Sequence, residues 1–362
     1  MSKRILIAAG GTGGHIYPAI VLGHELQNEF NLNVFFAGTK KGIGKDIFTR
    51  EKFRFELFDI DGLSRKFNFS LFSGFWKLIK VFLKALFLFN KFKPDVVIGM
   101  GGYVTPPIVL AAILYNIPTV IHEQNVIPGL ANRFLNKLVD QTTIAFPEAR
   151  RFFKNAIITG NPVRSTIELV KKETGIRNLN LEHGKITLFI FGGSQGSHNL
   201  NEIFRDTLVL LERKGLELQF IIMTGENDWE KMDEFCRGLR FKSVVRPFFY
   251  NIEDAYAASD LIISRAGALS ISEICASGKP AIFIPYPYAA GNHQYFNAKR
   301  LEEKGGGIII EEKELAPEKL AKAISDLLDN KAGLIRMGER NSGLYQKGAS
   351  RILALNVLAL IK

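Results

Sequence analysis

Two stretches of the sequence decide the fold: residues 4–14 read RILIAAGGTGG, and residues 186–196 read ITLFIFGGSQG. Each opens with a short apolar run typical of a buried parallel strand, continues through paired glycines and passes into a helical pattern. This strand–turn–helix unit begins a Rossmann-like domain, where glycine permits a tight turn and a close approach of backbone to ligand. Because the unit occurs near the start of each half, the sequence predicts two such domains.

Further short runs rich in Ile, Val and Phe alternate with helical stretches in both halves. In the first half, strands are expected at 33–36, 95–98, 119–121, 141–144 and 157–159. In the second half, they are expected at 219–223, 243–245, 261–263, 281–284 and 308–310. The alternation predicts an α/β fold with two doubly wound parallel sheets.

The domain boundary is expected at Gly160–Asn161–Pro162, because proline cannot continue a strand. The N-terminal domain then spans residues 1–161, and the C-terminal domain spans residues 162–340. The terminal segment 341–362 has a helical pattern and is expected to pack back on the N-terminal domain. In such folds a ligand binds at the carboxyl ends of the strands, here in the cleft between the domains.

Composition and charge narrow the class of protein. The chain has 362 residues, of which 47% are apolar and 23% charged, as in ordinary globular domains. Its formal charge of +11 lies mostly within the first 160 residues, which suits phosphate-bearing ligands, anionic lipid or nucleic acid, although solubility alone also explains it. Cys236 and Cys275 form no C-x-x-C motif, which fits a reducing compartment. The first apolar run is too short for a signal peptide, and no uncharged stretch suits a transmembrane helix.

Two glycine loops lie in the basic first half. Residues 10–15 read GGTGGH and precede a helix whose first turn is expected to hold Pro18, while residues 99–103 read GMGGY and precede a helix opened by Pro106–Pro107. The loop at 10–15 is neither a dinucleotide fingerprint nor a P-loop. Glycines followed by a helix N-terminus suit a phosphate, so two loops indicate two anionic groups, with plain turn geometry as the alternative.

The loop at 192–196, GGSQG, also spells G-x-S-x-G, the nucleophile elbow of α/β-hydrolases. A hydrolase needs an acid and a histidine downstream. Asp260 precedes its strand, which is the wrong end, and no acid is clearly placed to orient His293. The preferred interpretation is that Ser194 hydrogen-bonds a donor phosphate.

Two later segments carry polar side chains at helix starts. In SRAGALSISE (264–273), Glu273 suits the hydroxyls of a ribose, but Ser270 and Glu273 also fit a capping box, and the residues alone do not decide between these. In GNHQYFNA (291–298), clustered amides suit sugar hydroxyls, with simple N-capping by Asn292 as the alternative.

Residues 67–93 form a basic amphipathic stretch in which Lys77, Lys80, Lys84 and Lys91 recur at helical spacing among aromatic and aliphatic residues. This composition is typical of an interfacial helix on an anionic membrane surface. The alternative is a core helix with a solvated lysine stripe. The residues expected to associate with the membrane are Phe75, Trp76, Lys77, Ile79, Lys80, Phe82, Leu83 and Lys84.

Seven motifs in order give the chain a family resemblance. They are GGTGGHIYPA (10–19), GGYVTPP (101–107), HEQNVIPGLANR (122–133), GNPVR (160–164), GGSQGS (192–197), SRAGALSISEI (264–274) and HQYFNA (293–298). Together they resemble the MurG family of UDP-N-acetylglucosamine transferases in glycosyltransferase family 28. The resemblance implies a GT-B fold with two Rossmann-like domains. It also implies inverting transfer of N-acetylglucosamine to the 4-hydroxyl of the muramyl sugar in lipid I, which forms lipid II at the cytoplasmic face of the inner membrane.

The resemblance also assigns residues by position. The residues that match the UDP-N-acetylglucosamine contacts are Thr12, Gly13, Gly14, Asn125, Arg164, Ser194, Ile252, Ala268, Leu269, Ser270, Ile271, Ser272, Glu273 and Gln294. Glu273 matches the ribose-binding acid. The residues expected at the acceptor diphosphate are Gly13, Gly14, Gly101, Gly102 and Tyr103. The sequence departs from the commoner pattern at Ser197–His198 and at Ala266.

For the catalytic base we expect His15, because an imidazole titrates near neutral pH and this one lies at the first loop. His122 and Glu123 are reserve candidates, with the alternative that they orient the loop holding Asn125. Helix N-termini at Ser194 and Gly267, with Arg164, can favour the diphosphate, so no metal is expected to be required and Mg²⁺ at most stimulates. Asp59–Ile60–Asp61 is interpreted as a surface turn.

Two rival functions share this pattern. One is a UDP-sugar epimerase of similar fold, and the other is a non-catalytic protein that binds nucleotide sugar or lipid diphosphate. The partners expected under the transferase interpretation are UDP-N-acetylglucosamine, lipid I, an anionic membrane surface and other cell-wall synthesis proteins, with no nucleic acid.

Overall fold

The computed structural model of the chain describes residues 2–60 and 70–361. It divides into two compact units. The N-terminal unit comprises Met1–Val163 and Gln346–Lys362, and the C-terminal unit comprises Arg164–Tyr345. The divisions therefore fall after Val163 and Tyr345, rather than at 161 and 340 as the sequence indicated.

The described residues contain the following strands: β1 Arg4–Ala9, β2 Asn33–Thr39, β3 Arg54–Phe58, β4 Val96–Gly101, β5 Thr119–Glu123, β6 Gln141–Ile144, β7 Ile157–Ile158, β8 Ile186–Phe191, β9 Leu218–Met223, β10 Lys242–Arg246, β11 Leu261–Ser264, β12 Ala281–Phe283 and β13 Gly307–Ile309. The helices are α1 Gly13–His24, α2 Gly44–Arg50, α3 Ser70–Phe92, α4 Thr105–Leu114, α5 Leu130–Leu135, α6 Thr166–Leu169, α7 Lys172–Asn178, α8 His198–Arg213, α9 Trp229–Arg237, α10 Ile252–Ala258, α11 Ala268–Ser277, α12 His293–Glu303, α13 Pro317–Asp329, α14 Lys331–Gly343 and α15 Ala349–Leu358.

Each unit is built on one parallel sheet. The strand order is β3-β2-β1-β4-β5-β6-β7 in the N-terminal unit and β10-β9-β8-β11-β12-β13 in the C-terminal unit. The order reverses beside β1 and beside β8, as in a doubly wound sheet. The glycine loops that follow these two strands therefore lie at the switch points, where ligands bind in such folds.

The sheet of the N-terminal unit is covered on both faces. Ile5 and Ile7 of β1 pack with α1 and α15, whereas Leu6 and Ala8 pack with α3 and α4. Alternate residues of one strand thus enter opposite layers of the core, which explains why the strand is apolar throughout.

The C-terminal unit repeats this arrangement with different side chains. Leu188 and Ile190 of β8 pack with α8 and α13. Phe189 and Phe191 point to the other face, where each contacts the ring of Tyr256 on α10.

Two details differ from the sequence-based expectations, and a third expectation lies partly outside the described residues. Strand β3 was not predicted, because Arg54 and Glu56 interrupt its short apolar pattern. The segment 341–362 is not one helix, since α14 ends at Gly343 and α15 begins after Gly348, whose φ is +71°. Of the Asp59–Ile60–Asp61 triplet, Asp61 lies outside the described residues.

Candidate functional site

The two glycine loops of the N-terminal unit pack directly on each other. The Gly10 amide donates to the Gly101 carbonyl at 3.3 Å, and a Cβ on Gly102 would stand 2.3 Å from the Gly10 carbonyl oxygen. Gly101 and Gly102 have φ values of +107° and +81°, which side-chain-bearing residues rarely adopt. Both glycines are therefore required for the loops to meet.

A register shift in the sheet brings the two glycine loops opposite each other. The pairing of β1 with β4 shifts between Ala8 and Ala9, so that Ala9 lies opposite Gly101. The buried hydroxyl of Thr105 accepts from the Gly101 amide at 3.1 Å and lies within hydrogen-bonding distance of the Ala8 and Gly101 carbonyls. Thr105 thus fastens the second loop to the first, a role that no sequence motif indicated.

Helix α1 begins at Gly13, earlier than expected, so Pro18 is its sixth residue and not part of its first turn. Thr12 occupies the N-cap position with an extended backbone and makes no side-chain capping bond. The first amides of a helix have no acceptor within the helix, so those of Gly13 and Gly14 suit an anion.

His15 lies in the first turn of α1, at the junction of the two loops. A Cβ on Gly101 would stand 2.4 Å from His15 Cδ2 and 2.9 Å from its Nε2. The imidazole is half-buried, and Tyr103 beside it is exposed. The structure therefore brings together the residues predicted for the acceptor diphosphate and the predicted base.

His122, a reserve candidate for the base, is fully buried at the end of β5. Its Nδ1 lies 3.0 Å from the Thr143 hydroxyl, and burial lowers the pKa of His122 to about 4. The ring is therefore neutral at physiological pH and sealed from substrate, which favours the alternative that it supports the neighbouring loop.

Glu123 organises that loop. Its carboxylate accepts hydrogen bonds from the Asn125 amide at 2.9 Å, the Asn125 side chain at 3.1 Å, the Gly129 amide at 3.1 Å and the Asn132 side chain at 2.9 Å. Burial raises the pKa of Glu123, and these four bonds oppose the rise. Because its carboxylate already accepts four bonds, Glu123 serves better to hold Asn125 in place than to accept a proton from substrate.

In the C-terminal unit, the loop at 192–196 turns sharply before α8. Gly196 has a φ of +75°, and a Cβ there would stand 1.9 Å from the Thr224 carbonyl oxygen. Ser197 is the N-cap residue of α8, and Ser194 is half-buried within the loop. The loop therefore leads into a helix N-terminus, which suits the diphosphate expected at Ser194.

Arg265 joins the loops around this helix start. Its buried guanidinium donates to the Ile284 carbonyl at 3.2 Å, the Pro285 carbonyl at 3.1 Å and the Ser197 hydroxyl at 3.2 Å, and it pairs with Glu312. Sequence reasoning missed this residue. The available signal was a charged side chain directly after the buried strand β11.

Gln294 adds a second connection. Its side-chain oxygen accepts from the Ala266 amide at 3.2 Å and the Tyr286 amide at 3.0 Å, which leaves its NH₂ group to donate to a ligand. Asn292 occupies the N-cap position of α12, as the alternative expected, but it has a left-handed φ of +54° and makes no side-chain capping bond.

Glu273 lies on α11, which begins at Ala268 after the N-cap residue Gly267. Ser270 is therefore inside the helix, and the capping-box alternative is wrong. The Glu273 carboxylate is buried and accepts a hydrogen bond from the Tyr256 hydroxyl at 2.9 Å. Burial raises its pKa to about 7, opposed by the positive charge of Arg164 and by the Tyr256 bond.

Arg164 reaches the same region from the start of the C-terminal unit. Its Nη1 donates to the Tyr250 carbonyl at 2.6 Å and lies 3.5 Å from Glu253 Oε2 on α10. Ile252 opens the same helix. Except for Ser194, which lies in the loop before α8, the predicted donor residues of the C-terminal unit lie at the start of that unit or on α10, α11 and the first turn of α12. Thr12, Gly13, Gly14 and Asn125 belong to the N-terminal unit.

The G-x-S-x-G motif does not acquire a hydrolase triad. His293 Nδ1 contacts the Ala290 carbonyl at 2.9 Å rather than a carboxylate. Across the described ranges 2–60 and 70–361, no three His, Cys, Asp or Glu residues are grouped so as to hold a metal ion.

Helix α3 packs against the sheet with one side and exposes the other side to solvent. Val81, Ala85 and Phe89 are buried against the sheet, and Phe82 packs partly against the same core. Trp76, Leu83 and Phe87 are 51%, 57% and 81% exposed and share a face with the exposed Lys80, Lys84 and Lys91. Ile79 and Lys77 are half-buried, and the Phe75 side chain lies outside the described residues. No helix in the described part of the chain has the length and apolar character needed to span a membrane.

Comparisons with known proteins identify the family of both units. Residues 5–144 match the glycosyltransferase family 28 N-terminal domain, and residues 187–352 match the C-terminal domain of the same family. The UDP-N-acetylglucosamine–N-acetylmuramyl-(pentapeptide) pyrophosphoryl-undecaprenol N-acetylglucosamine transferase of Thermoanaerobacter sp. strain X514 is 42% identical over 342 residues, covering 92% of this chain and 93% of the relative.

Solved structures give the same fold. MurG of Acinetobacter baumannii has a TM-score of 0.78 and 26% identity, covering 99% of this chain and 100% of the other. A UDP-GlcNAc 2-epimerase from Neisseria meningitidis has a TM-score of 0.69 at 14% identity, covering 98% and 100%, and this likeness shows the fold alone. The predicted GT-B fold class is confirmed. The chain belongs to the MurG family of N-acetylglucosamine transferases within glycosyltransferase family 28.

Proposed function

We propose that this protein transfers N-acetylglucosamine from UDP-N-acetylglucosamine to the 4-hydroxyl of the muramyl sugar in undecaprenyl-pyrophosphoryl-MurNAc-pentapeptide. The product is lipid II, and the reaction inverts the anomeric centre. The observation that carries the proposal is the pair of phosphate-type glycine loops, each leading into a helix N-terminus, one in each unit of a family 28 transferase. One loop is assigned to each diphosphate.

The donor assignment rests on the C-terminal unit. Ser194 and the α8 N-terminus suit the diphosphate, and the Glu273 carboxylate suits the ribose hydroxyls. The Gln294 NH₂ group is available to a ligand because its oxygen is already bonded to two backbone amides. Arg164, Ile252 and residues 268–272 complete the proposed donor contacts within this unit.

The acceptor assignment rests on the N-terminal unit. The amides of Gly13 and Gly14, with Gly101, Gly102 and Tyr103, suit the lipid diphosphate. His15 is proposed as the base that takes the proton of the acceptor 4-hydroxyl. The oxygen of that hydroxyl attacks the anomeric carbon of the donor. The bond from that carbon to the phosphate oxygen breaks, and UDP leaves with the electron pair.

No metal is proposed as a requirement. The α8 N-terminus, the α11 N-terminus and Arg164 offer positive potential for the charge that develops on departing UDP. Mg²⁺ is assigned at most a stimulating role.

Transfer can be measured directly. The purified protein is expected to convert a lipid I analogue to the lipid II analogue with UDP-N-acetylglucosamine, and to do so at a similar rate with and without EDTA. Absence of product with donor bound would favour a non-catalytic binding protein, and loss of activity in EDTA would contradict the metal-independent mechanism. Incubation with the sugar nucleotide alone should leave it unchanged, since interconversion would indicate an epimerase.

We also propose peripheral attachment to the cytoplasmic face of the cell membrane through α3. Its exposed face carries Trp76, Leu83 and Phe87 beside Lys80 and Lys91, which combines apolar insertion with attraction to anionic headgroups. Lys84, on the same face, pairs with Glu56 and donates to the Leu57 carbonyl at 2.8 Å. Contact with other cell-wall synthesis proteins stays a prediction, and no nucleic acid partner is proposed.

Removal of the exposed apolar side chains should release the protein from membranes. We expect Leu83→Ser with Phe87→Ser to weaken binding to phosphatidylglycerol-containing vesicles at least about tenfold, because each loses a side chain that would enter the interface. Vesicle co-sedimentation provides the measurement. Ile335→Ser, at a 63% exposed site in the C-terminal unit, is the matched control and should bind as wild type. Equal binding by the double variant would contradict the proposal.

A further inference from the structure

Tyr256 is a fully buried residue of α10 that none of the motifs contains. Its ring meets Phe189 edge-on at a centroid distance of 5.5 Å and Phe191 at 6.2 Å. Edge-to-face contacts of this kind favour one ring orientation. The side chain is therefore held rigidly by β8, which lies at the centre of the sheet.

The aromatic packing explains the ring of Tyr256 but not its hydroxyl group. Phenylalanine would fill the same aromatic surroundings without a polar atom to satisfy. The hydroxyl instead donates to Glu273 Oε2 at 2.9 Å, across two helices and 17 positions of sequence. Since Oε2 accepts this bond, Oε1 of the same carboxylate is left for the two hydroxyls of a ribose.

We propose that Tyr256 is a positioning residue for the transferase, whose hydroxyl fixes the Glu273 carboxylate in the orientation and charge state that bind the donor ribose. The inference rests on the proposed function, in which Glu273 contacts that ribose. It adds a residue outside the predicted donor set, which acts on the donor only through Glu273.

The charges around Glu273 set the pH at which its carboxylate ionises, and therefore the pH dependence expected for donor affinity. Arg164 favours the ionised carboxylate, Glu253 on α10 opposes it, and the Tyr256 bond favours it. The positive charge of Arg300 on α12 lowers the pKa of Cys275 and is not among the charges that shift the pKa of Glu273. Burial outweighs the favourable contributions and brings the pKa of Glu273 to about 7, so the carboxylate protonates as the pH falls through neutrality. Donor affinity should then fall with it, and removal of the Tyr256 hydroxyl should move this fall to higher pH.

Tyr256→Phe tests the proposal while it preserves the ring. We expect UDP-N-acetylglucosamine to bind about fivefold more weakly at pH 7, because loss of a hydrogen bond to the charged group leaves a smaller fraction of Glu273 ionised. The midpoint of the pH dependence should rise by about one unit, which corresponds to about a tenfold change in the protonation equilibrium of Glu273. Isothermal titration between pH 6 and pH 9 measures both quantities, and kcat at saturating donor should change less than about twofold.

Tyr345→Phe is the matched control, because Tyr345 donates to Glu168 at 2.7 Å in the same unit without contacting the predicted donor residues. It should leave donor affinity and its pH dependence unchanged. Glu273→Gln separates the ribose contact of Glu273 from the positioning role of Tyr256, because a glutamine side chain does not titrate. It should weaken binding and remove the pH dependence, and adding Tyr256→Phe to it should shift no midpoint.

The outcomes are distinct. If Glu273→Gln binds donor as tightly as wild type, the ribose assignment of the proposed function fails. If Glu273→Gln weakens binding but Tyr256→Phe changes neither affinity nor pH dependence, the role of Tyr256 alone is overturned. Should Tyr256→Phe fail to fold, the wild-type profile decides, because an affinity that is flat from pH 6 to pH 9 overturns the inference.

Discussion

Substitution of His15 by glutamine is expected to lower kcat by about 10²- to 10⁴-fold at saturating concentrations of both substrates, the usual contribution of a general base. Glutamine keeps hydrogen-bonding capacity at a similar size but cannot accept the proton of the acceptor hydroxyl. The two glycine loops should be undisturbed, because Gly101 lies against the His15 ring without depending on its basicity. Steady-state transfer to a lipid I analogue measures kcat, and calorimetry should find donor affinity close to that of wild type.

His24→Gln provides the control for this experiment. His24 ends the same helix and pairs with Glu51 at 2.9 Å, so the variant changes an imidazole of α1 away from the loops. Its turnover should match wild type. Near-normal turnover by His15→Gln would sink the assignment of the base. His122 would not replace it as the candidate base, because its ring is buried and neutral, with a pKa of about 4.

The second large effect is expected from Gly196→Ala. The new Cβ would stand 1.9 Å from the Thr224 carbonyl oxygen at a φ of +75°, so the loop before α8 must move. We expect the C-terminal unit to lose more than about 2 kcal/mol of unfolding free energy, since backbone strain and overlap with a fixed carbonyl add. Donor affinity should fall at least about tenfold, because the displaced loop carries Ser194.

Gly215→Ala isolates the steric part of this effect. Gly215 has a similar φ of +68°, but a Cβ there meets nothing within 4 Å. It should lose only about 1 kcal/mol, the cost of left-handed backbone for alanine. Chemical denaturation and donor titration of both variants provide the comparison. Equal losses would show that the Thr224 contact does not constrain the loop.

The strands and glycine turns could be predicted because their signals are local. A short apolar run followed by paired glycines identifies β1 and β8, and the carboxyl ends of parallel strands necessarily share an edge. The family resemblance placed glycines of the loops at 10–15 and 99–103 at one diphosphate, and the shared edge explains why the two loops lie together. Neither of these predicts their interlock, because the positive φ values of Gly101 and Gly102 depend on the β1–β4 register shift.

The contacts that tune the sites could not be predicted, because they join residues far apart in sequence. The residues next to Glu273 in sequence do not predict its hydrogen bond with Tyr256, and those next to Arg265 do not predict its ion pair with Glu312. The ambiguity at Ser270 arose because the pattern S-x-x-E does not say where a helix begins. Only the extended backbone of Gly267 settles that α11 starts before Ser270.

Helix α3 shows a different limit. Its sequence is apolar around most of its circumference, so periodicity cannot reveal which side the sheet covers. The structure buries Val81, Ala85 and Phe89 and leaves Trp76, Leu83 and Phe87 to solvent. The interpretation as a core helix is therefore confirmed for one side of α3, and its association with a membrane stays a prediction.

The helix α15 has a consequence for the way this protein is made. Its residues Leu353, Ala354 and Val357 cover apolar side chains of the N-terminal unit that include Ile16 and Ile20. During synthesis the core of this unit is therefore incomplete until α15 has left the ribosome. For the same reason, a chimera that exchanges the C-terminal unit between relatives needs two splice points, so that the first unit keeps its own closing helix.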